Sequence, residues 1–164
     1  LTRLKPHCTP VALNANGDPA RFAALDLPVI ADSIEGFAGP LAGVLAGLDW
    51  AATQGADTIV TAAADTPFFP CDLVPQLLLA SEGMAHPLVL ASTPDPERGR
   101  VRHPTFGLWP VALRDDLRGA LEGGLRKVVL WTDTHGGREA LFSDENTFFN
   151  VNTPEDLAQA ERML

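Results

Sequence analysis

Asp65 is the residue best placed to do chemistry in this sequence. Residues 58–63 are apolar and β-branched enough to form a strand, and they open into Ala64-Asp65-Thr66-Pro67-Phe68-Phe69-Pro70. A carboxylate at such a strand end can hold Mg2+, which keeps several waters and is commonly bound by one or two carboxylates together with substrate phosphates. Aspartate before proline also builds ordinary turns.

Other candidates share the position just past a strand-like run. Asn14, in Asn14-Ala15-Asn16-Gly17-Asp18, carries an amide that both donates and accepts, which suits a base edge or a ribose. Asp32-Ser33 follows the apolar residues 29–31, and Gly39 leads through Pro40-Leu41-Ala42-Gly43 into helical spacing. Glycine permits close backbone approach there, and a helix amino terminus favours anions. Asn150 and Asn152, one residue apart in an extended segment, point the same way, so both amides can face one ligand.

The net charge of −9 repels phosphodiester backbones and acidic membranes, which argues against nucleic-acid and membrane partners. An anionic substrate must then be met locally, and the positive side chains cluster as Arg98, Arg100, Arg102 and His103, then Arg126 and Lys127. Cys8 and Cys71 stand far apart with no CxxC, so neither a zinc site nor a disulfide framework is signalled, and a reducing cytoplasm is expected. No HExxH, GxSxG or strand-borne GxGxxG occurs, which removes metalloprotease, hydrolase and dehydrogenase readings.

Elements must position these groups. Short, unalternating apolar runs at 11–13, 29–31, 58–63, 88–91, 105–109 and 140–142 suit strands covered on both faces. Helical spacing falls between them, at 40–53, at 73–81 behind Asp72, at 111–122 through Leu113, Leu117 and Leu121, and at 154–164 behind Thr153. The alternation predicts a single α/β domain over residues 1–164, a three-layer α/β/α sandwich with a mostly parallel sheet and ligands at the strands' carboxyl ends. Residues 92–102 are polar and proline-rich and read as a mobile excursion. The apolar stretch 37–52 contains Pro40 and Asp49 and reads as a buried helix, not a membrane span.

In this order, Asn14-Ala15-Asn16, residues 29–33, Gly39-Pro40-Leu41-Ala42-Gly43, Asp65-Thr66-Pro67-Phe68 and Asn150-Val151-Asn152-Thr153-Pro154-Glu155-Asp156-Leu157 resemble the molybdenum cofactor guanylyltransferase family. The resemblance covers nearly the whole chain and extends to His103-Pro104-Thr105 and Arg126-Lys127. It implies a Rossmann-like nucleotidyltransferase fold. The implied reaction is transfer of GMP from GTP to the terminal phosphate of molybdenum-molybdopterin, with Mg2+ as cofactor and pyrophosphate as by-product. By position, Asp65 would be the catalytic metal ligand, and Asn14, Asp32 and Gly39 would hold GTP. Asn150 and Asn152 would line the molybdopterin side, with Arg126, Lys127 and His103 as neighbours. The partners implied are a molybdenum-insertion protein and apo-molybdoenzymes.

The resemblance has one gap. Members of that family open with a strand and a loop of the form LAGGxxxRMGxxK, and no such segment occurs here. The first βα unit, roughly 30 residues by the usual size of such units, reads as absent, so residues 1–164 alone are expected to transfer little GMP. A CTP-dependent molybdopterin cytidylyltransferase and a non-catalytic cofactor-binding module stay open beside the guanylyltransferase reading.

Overall fold

The computed structural model describes residues 1–36 and 39–162. Leu13–Asn14 (β1) and Val29–Ile30 (β2) form a short parallel pair, with Leu13 opposite Val29 and Asn14 opposite Ile30. A second sheet contains Thr58–Thr61 (β3), Val89–Asp95 (β4), Gly99–Pro110 (β5) and Arg138–Leu141 (β6), in the order β3-β5-β4-β6. β5 runs antiparallel to both β3 and β4, whereas β6 is parallel to β4.

The α/β class follows the sequence expectation, and the sheet is mixed because β5 is reversed. The cause lies in residues 92–102, expected as a mobile excursion and found instead as the paired arms of a hairpin. Strands joined by so few residues can pair only antiparallel. The turn is closed by Asp95, whose Oδ1 accepts the backbone N–H of Glu97 at 2.9 Å and of Arg98 at 2.7 Å. Gly99 leaves the turn at φ 78°, a conformation that costs glycine little.

The helices are Pro40–Thr53 (α1), Leu73–Ala80 (α2), Arg114–Glu122 (α3), Val128–Thr134 (α4) and Pro154–Arg162 (α5). Proline at the start of α1 has no N–H to lose and a preset φ. Asp72 stands at the start of α2, but its side chain accepts from the Gln76 side chain at 3.2 Å and makes no cap bond. Thr153 does cap α5: its Oγ1 accepts the Asp156 N–H at 3.1 Å, while Asp156 Oδ2 accepts the N–H groups of Asn152 and Thr153. Phe37 and Ala38, in the expected helix 37–52, and residues 163–164, at the expected end of the last helix, lie outside the described residues. Among the described residues, no helix is long and apolar enough to cross a membrane.

Period-two alternation divides the core into two layers. Leu88 and Leu90 from the β4 region, with Trp109 of β5, pack on Leu41, Leu45 and Leu48 of α1, Leu117 and Leu121 of α3, and Trp131 of α4. The opposite face carries Val89, Ala91, Phe106 and Leu108 against Leu73 and Leu77 of α2, with Phe142 and Phe148. Each fully buried leucine contributes about 1.5–3 kcal/mol. Helices therefore cover both faces of the four-stranded sheet and leave its strand ends to carry polar groups.

Candidate active site

β3 ends at Thr61, and the chain turns through Ala64-Asp65 before Pro67 redirects it. Asp65 is exposed, while its neighbour Thr66 is fully buried. The Thr66 hydroxyl lies 2.7 Å from Asn150 Oδ1 and 3.2 Å from Asp65 Oδ1. One hydroxyl hydrogen serves one acceptor at a time, and the shorter contact takes it. Val151 N–H donates to the Asp65 carbonyl at 2.7 Å. These two bonds fasten the turn after β3 to the segment before α5.

Aromatic packing holds that segment from below. Phe148, 7% exposed, stacks on the His103 ring with centroids 4.2 Å apart and planes 9° apart. Phe106 and Phe142 meet Phe148 edge-on. His103 Nε2 lies 2.8 Å from the buried Thr93 Oγ1, and burial pushes its pKa below the ordinary histidine value. Arg3 also steadies the Asp65 loop, because its Nη1 donates to the carbonyls of Phe69 at 2.6 Å and Phe68 at 3.3 Å.

At the end of β1 and past β2 the polar groups interlock. Asn14 Nδ2 donates to Ile30 O and Asp32 Oδ1, each at 3.1 Å. Asn16 donates to Asp32 Oδ2 and accepts the Asp32 N–H, both at 2.9 Å. The carboxylate of Asp32 thus has each oxygen engaged once and a remaining lone pair on each for a ligand N–H or O–H. Asn16 is the member the sequence reading did not assign, although its spacing of two from Asn14 was the available signal.

α1 connects the two groups of strands. A Cβ on Gly43 would stand 2.5 Å from Asn14 Oδ1, and one on Gly47 would stand 2.8 Å from Ile59 Cδ1. A side chain at Gly43 would press on the Asn14 amide, whereas one at Gly47 would meet the movable end of the Ile59 side chain. Gly39, exposed at φ 117°, begins this helix.

The expected site residues separate into groups. Asp65 and Asn150 are brought together through Thr66, and Asn14 and Asp32 bond directly. His103 joins the first group through Phe148. Asn152 places its N–H in the α5 cap and is exposed. Arg126 turns back onto α3, its Nη1 donating to Leu125 O at 2.7 Å and Leu121 O at 3.0 Å. Lys127 is exposed at the start of α4. Arg102, in the same basic stretch as His103, pairs with Asp133 at 2.6 Å.

Asp65 is the group suited to a hydrated divalent ion. It is solvent-facing, and among the described residues the neighbouring Thr66 hydroxyl alone stands within hydrogen-bond distance of its carboxylate. Among the described residues, no three His, Cys, Asp or Glu side chains converge on one point. A magnesium held by one carboxylate, with waters and phosphate oxygens completing the shell, fits this donor set.

Comparison with known proteins gives a consistent assignment. Residues 1–136 match the family model described as MobA-like NTP transferase domain. The molybdenum cofactor guanylyltransferase of Cereibacter sphaeroides (strain ATCC 17029 / ATH 2.4.9) is 52% identical over 162 residues, covering 99% of this chain and 79% of the relative. That of Bradyrhizobium sp. (strain ORS 278) is 49% identical over 168 residues, covering 99% and 77%. Among solved structures, molybdopterin-guanine dinucleotide biosynthesis protein A from Archaeoglobus fulgidus matches with a TM-score of 0.66 at 20% identity, over 99% of this chain and 83% of that one. The 2-C-methyl-D-erythritol 4-phosphate cytidylyltransferase from Thermus thermophilus gives 0.69 at 21% identity, over 97% and 84%. The structural matches establish the nucleotidyltransferase fold; with the family model and the near-full-length relatives, they show that this chain belongs to the MobA-like NTP transferase family.

Proposed function

We propose that the chain forms most of a cytoplasmic guanylyltransferase that joins GMP from GTP to the terminal phosphate of molybdenum-molybdopterin. The product is a guanine dinucleotide cofactor. The observation that carries this reading is the Thr66-centred contact, which holds the open Asp65 carboxylate beside Asn150 across 84 residues of sequence.

A phosphate oxygen of molybdopterin attacks the α-phosphorus of GTP. The bond from that phosphorus to the α,β-bridging oxygen breaks, and pyrophosphate leaves. Such in-line displacement between polyanions is governed by positioning and charge neutralisation more than by a protein base. When bound at Asp65, Mg2+ would offset phosphate charge. The protein's part is to orient the reactants. The Asn14, Asn16 and Asp32 group offers the guanine nucleotide a fixed set of donors and acceptors beside the start of α1. Asn150 and Asn152 line the molybdopterin side. His103 supports that side from beneath Phe148, and Arg126 and Lys127 are its more distant basic neighbours.

The experiment is product formation from labelled GTP or CTP by the protein made from its full open reading frame, with and without the change Asp65→Asn. GTP should be used over CTP, and Asp65→Asn should cut turnover about 10²–10³-fold while leaving the fold intact. Preference for CTP, or retained turnover in the variant at saturating Mg2+, would overturn the reading. Residues 1–164 contain no LAGGxxxRMGxxK segment to cradle a triphosphate, so this stretch on its own should transfer little or no GMP.

A further inference from the structure

Asp49 is the one charged side chain of α1, a helix otherwise built of apolar residues, glycine and threonine. Aspartate is among the poorer residues for a helix interior, because its short carboxylate competes for the backbone. Here the carboxylate is met from two other elements. Arg118 of α3 brings Nη2 to 2.7 Å from both of its oxygens, and the Ser33 hydroxyl donates to it from the segment after β2. Burial pulls the Asp49 pKa upward, but the bonds from Ser33 and Arg118 and the charge of Arg114 outweigh it, so the group is anionic at neutral pH.

Stability does not account for this arrangement. The Arg118 and Asp49 side chains are 34% and 28% exposed, and an ion pair so open to solvent adds little to the fold. Its consequence is geometric. Ser33 follows Asp32 directly, and Ile34 after it packs against the core layer that α1 and α3 share. The segment is therefore tied at Asp32 to Asn14 and Asn16, at Ser33 to Asp49, and at Ile34 to apolar side chains. Two amide side chains on a short strand pair can follow a carboxylate that swings. A bond to α1, itself bridged to α3, gives that carboxylate a reference outside the pair. Because the peptide unit between residues 32 and 33 is planar, fixing Ser33 restricts the direction in which Asp32 points.

We propose that Asp49 is a positioning residue: braced by Arg118, it holds the Ser33 hydroxyl and so sets how Asp32 presents its carboxylate to Asn14, Asn16 and a ligand. That the ligand is the guanine nucleotide rests on the guanylyltransferase reading, whereas the positioning does not. Arg118 and Asp49 touch no substrate in this account. They act through Ser33 and Asp32.

The test reads Asp32 through its two partners, by nuclear magnetic resonance of the Asn14 and Asn16 side-chain amides in the protein made from its full open reading frame. Ser33→Ala and Asp49→Ala should each move both amide signals toward those of solvent-exposed asparagines and speed their hydrogen exchange about tenfold or more. Arg118→Met should do the same to a smaller degree, and Ser33→Thr, which keeps the hydroxyl, should keep the parent's signals. Ser33 is exposed, so its variants test the idea even where loss of Asp49 loosens the fold. Unchanged amides in Ser33→Ala, an Asp49→Ala variant that melts earlier with its amides unmoved, or a loss in Ser33→Thr equal to that in Ser33→Ala would overturn the proposal. The Kd for GTP with Mg2+, measured on the same samples, should rise about three- to tenfold in Ser33→Ala and Asp49→Ala. Moved amides with an unaltered Kd, or a parent protein that binds no GTP, would contradict the nucleotide reading and leave the positioning standing.

Discussion

Thr66 Oγ1 and Asn150 Oδ1 are 2.7 Å apart, and this bond joins the turn that presents Asp65 to the segment that leads into α5. Thr66 is fully buried, so its hydroxyl has no water to fall back on. The bond sets how far the Asp65 carboxylate stands from the Asn150 amide. Distance between the two substrates' phosphates is what an in-line displacement must control.

Replacing that hydroxyl by a methyl group tests its role. Thr66→Val keeps shape and burial but removes the donor, and it should cost about 1 kcal/mol of stability. Turnover should fall about tenfold with a raised KM for molybdopterin, and Thr66→Ser should restore most of it. Unchanged kinetics in the valine variant would mean that the contact is structural only.

Gly43 makes a contrasting case, since its replacement should spare the fold and injure binding. A Cβ there would meet Asn14 Oδ1 at 2.5 Å, and the Asn14 amide is held by Ile30 O and Asp32. Gly43→Ala should displace Asn14 and raise the GTP KM about tenfold, while the helix gains up to about 1 kcal/mol of propensity. Initial rates and melting temperature measured together check this; an unaltered KM would remove Asn14 from the nucleotide site.

His103 gives the fold a pH dependence near neutrality. Burial lowers its pKa relative to the unfolded chain, so the unfolded state binds the proton first. The neutral ring's contribution is complete above about pH 6.5 and is lost as pH falls from there toward the lowered folded value. His103→Phe keeps a ring on Phe148 and cannot titrate, so its melting temperature should vary less than the parent's between pH 7 and 5. Parallel curves would contradict this account. Asp49 and Asp116 have lowered pKa values and act in a more acidic range. At Asp49 burial pulls upward and is outweighed by the bonds to Ser33 and Arg118, whereas Asp116 is lowered by its bonds to Trp131 and His135.

Sequence patterns reached the elements whose signal is local. α1 begins at Pro40 and α5 is capped by Thr153, because proline at a helix start and threonine ahead of acidic residues act on their own backbone. The hairpin of β4 and β5 was hidden because its tip is exposed and charged, and polarity there reports solvent, not pairing. Asp65 and Asp32 were legible as residues past strand ends, and Asn14, expected just past one, is the last residue of β1. Thr66, Asn16 and Arg3 were not assigned roles, since each acts on a partner distant in sequence and a threonine or arginine alone does not say which carbonyl or amide it meets. Arg126, expected near the molybdopterin side, also bonds the carbonyls of Leu121 and Leu125 through its Nη1, a local role that its charge alone does not announce.

The most direct measurement is a crystal of the protein made from its full open reading frame, grown with GTP and Mg2+. The account predicts the ion between the Asp65 carboxylate and the nucleotide's phosphates, with the guanine or ribose against Asn14 and Asp32. An ion and nucleotide bound away from Asp65 would contradict it.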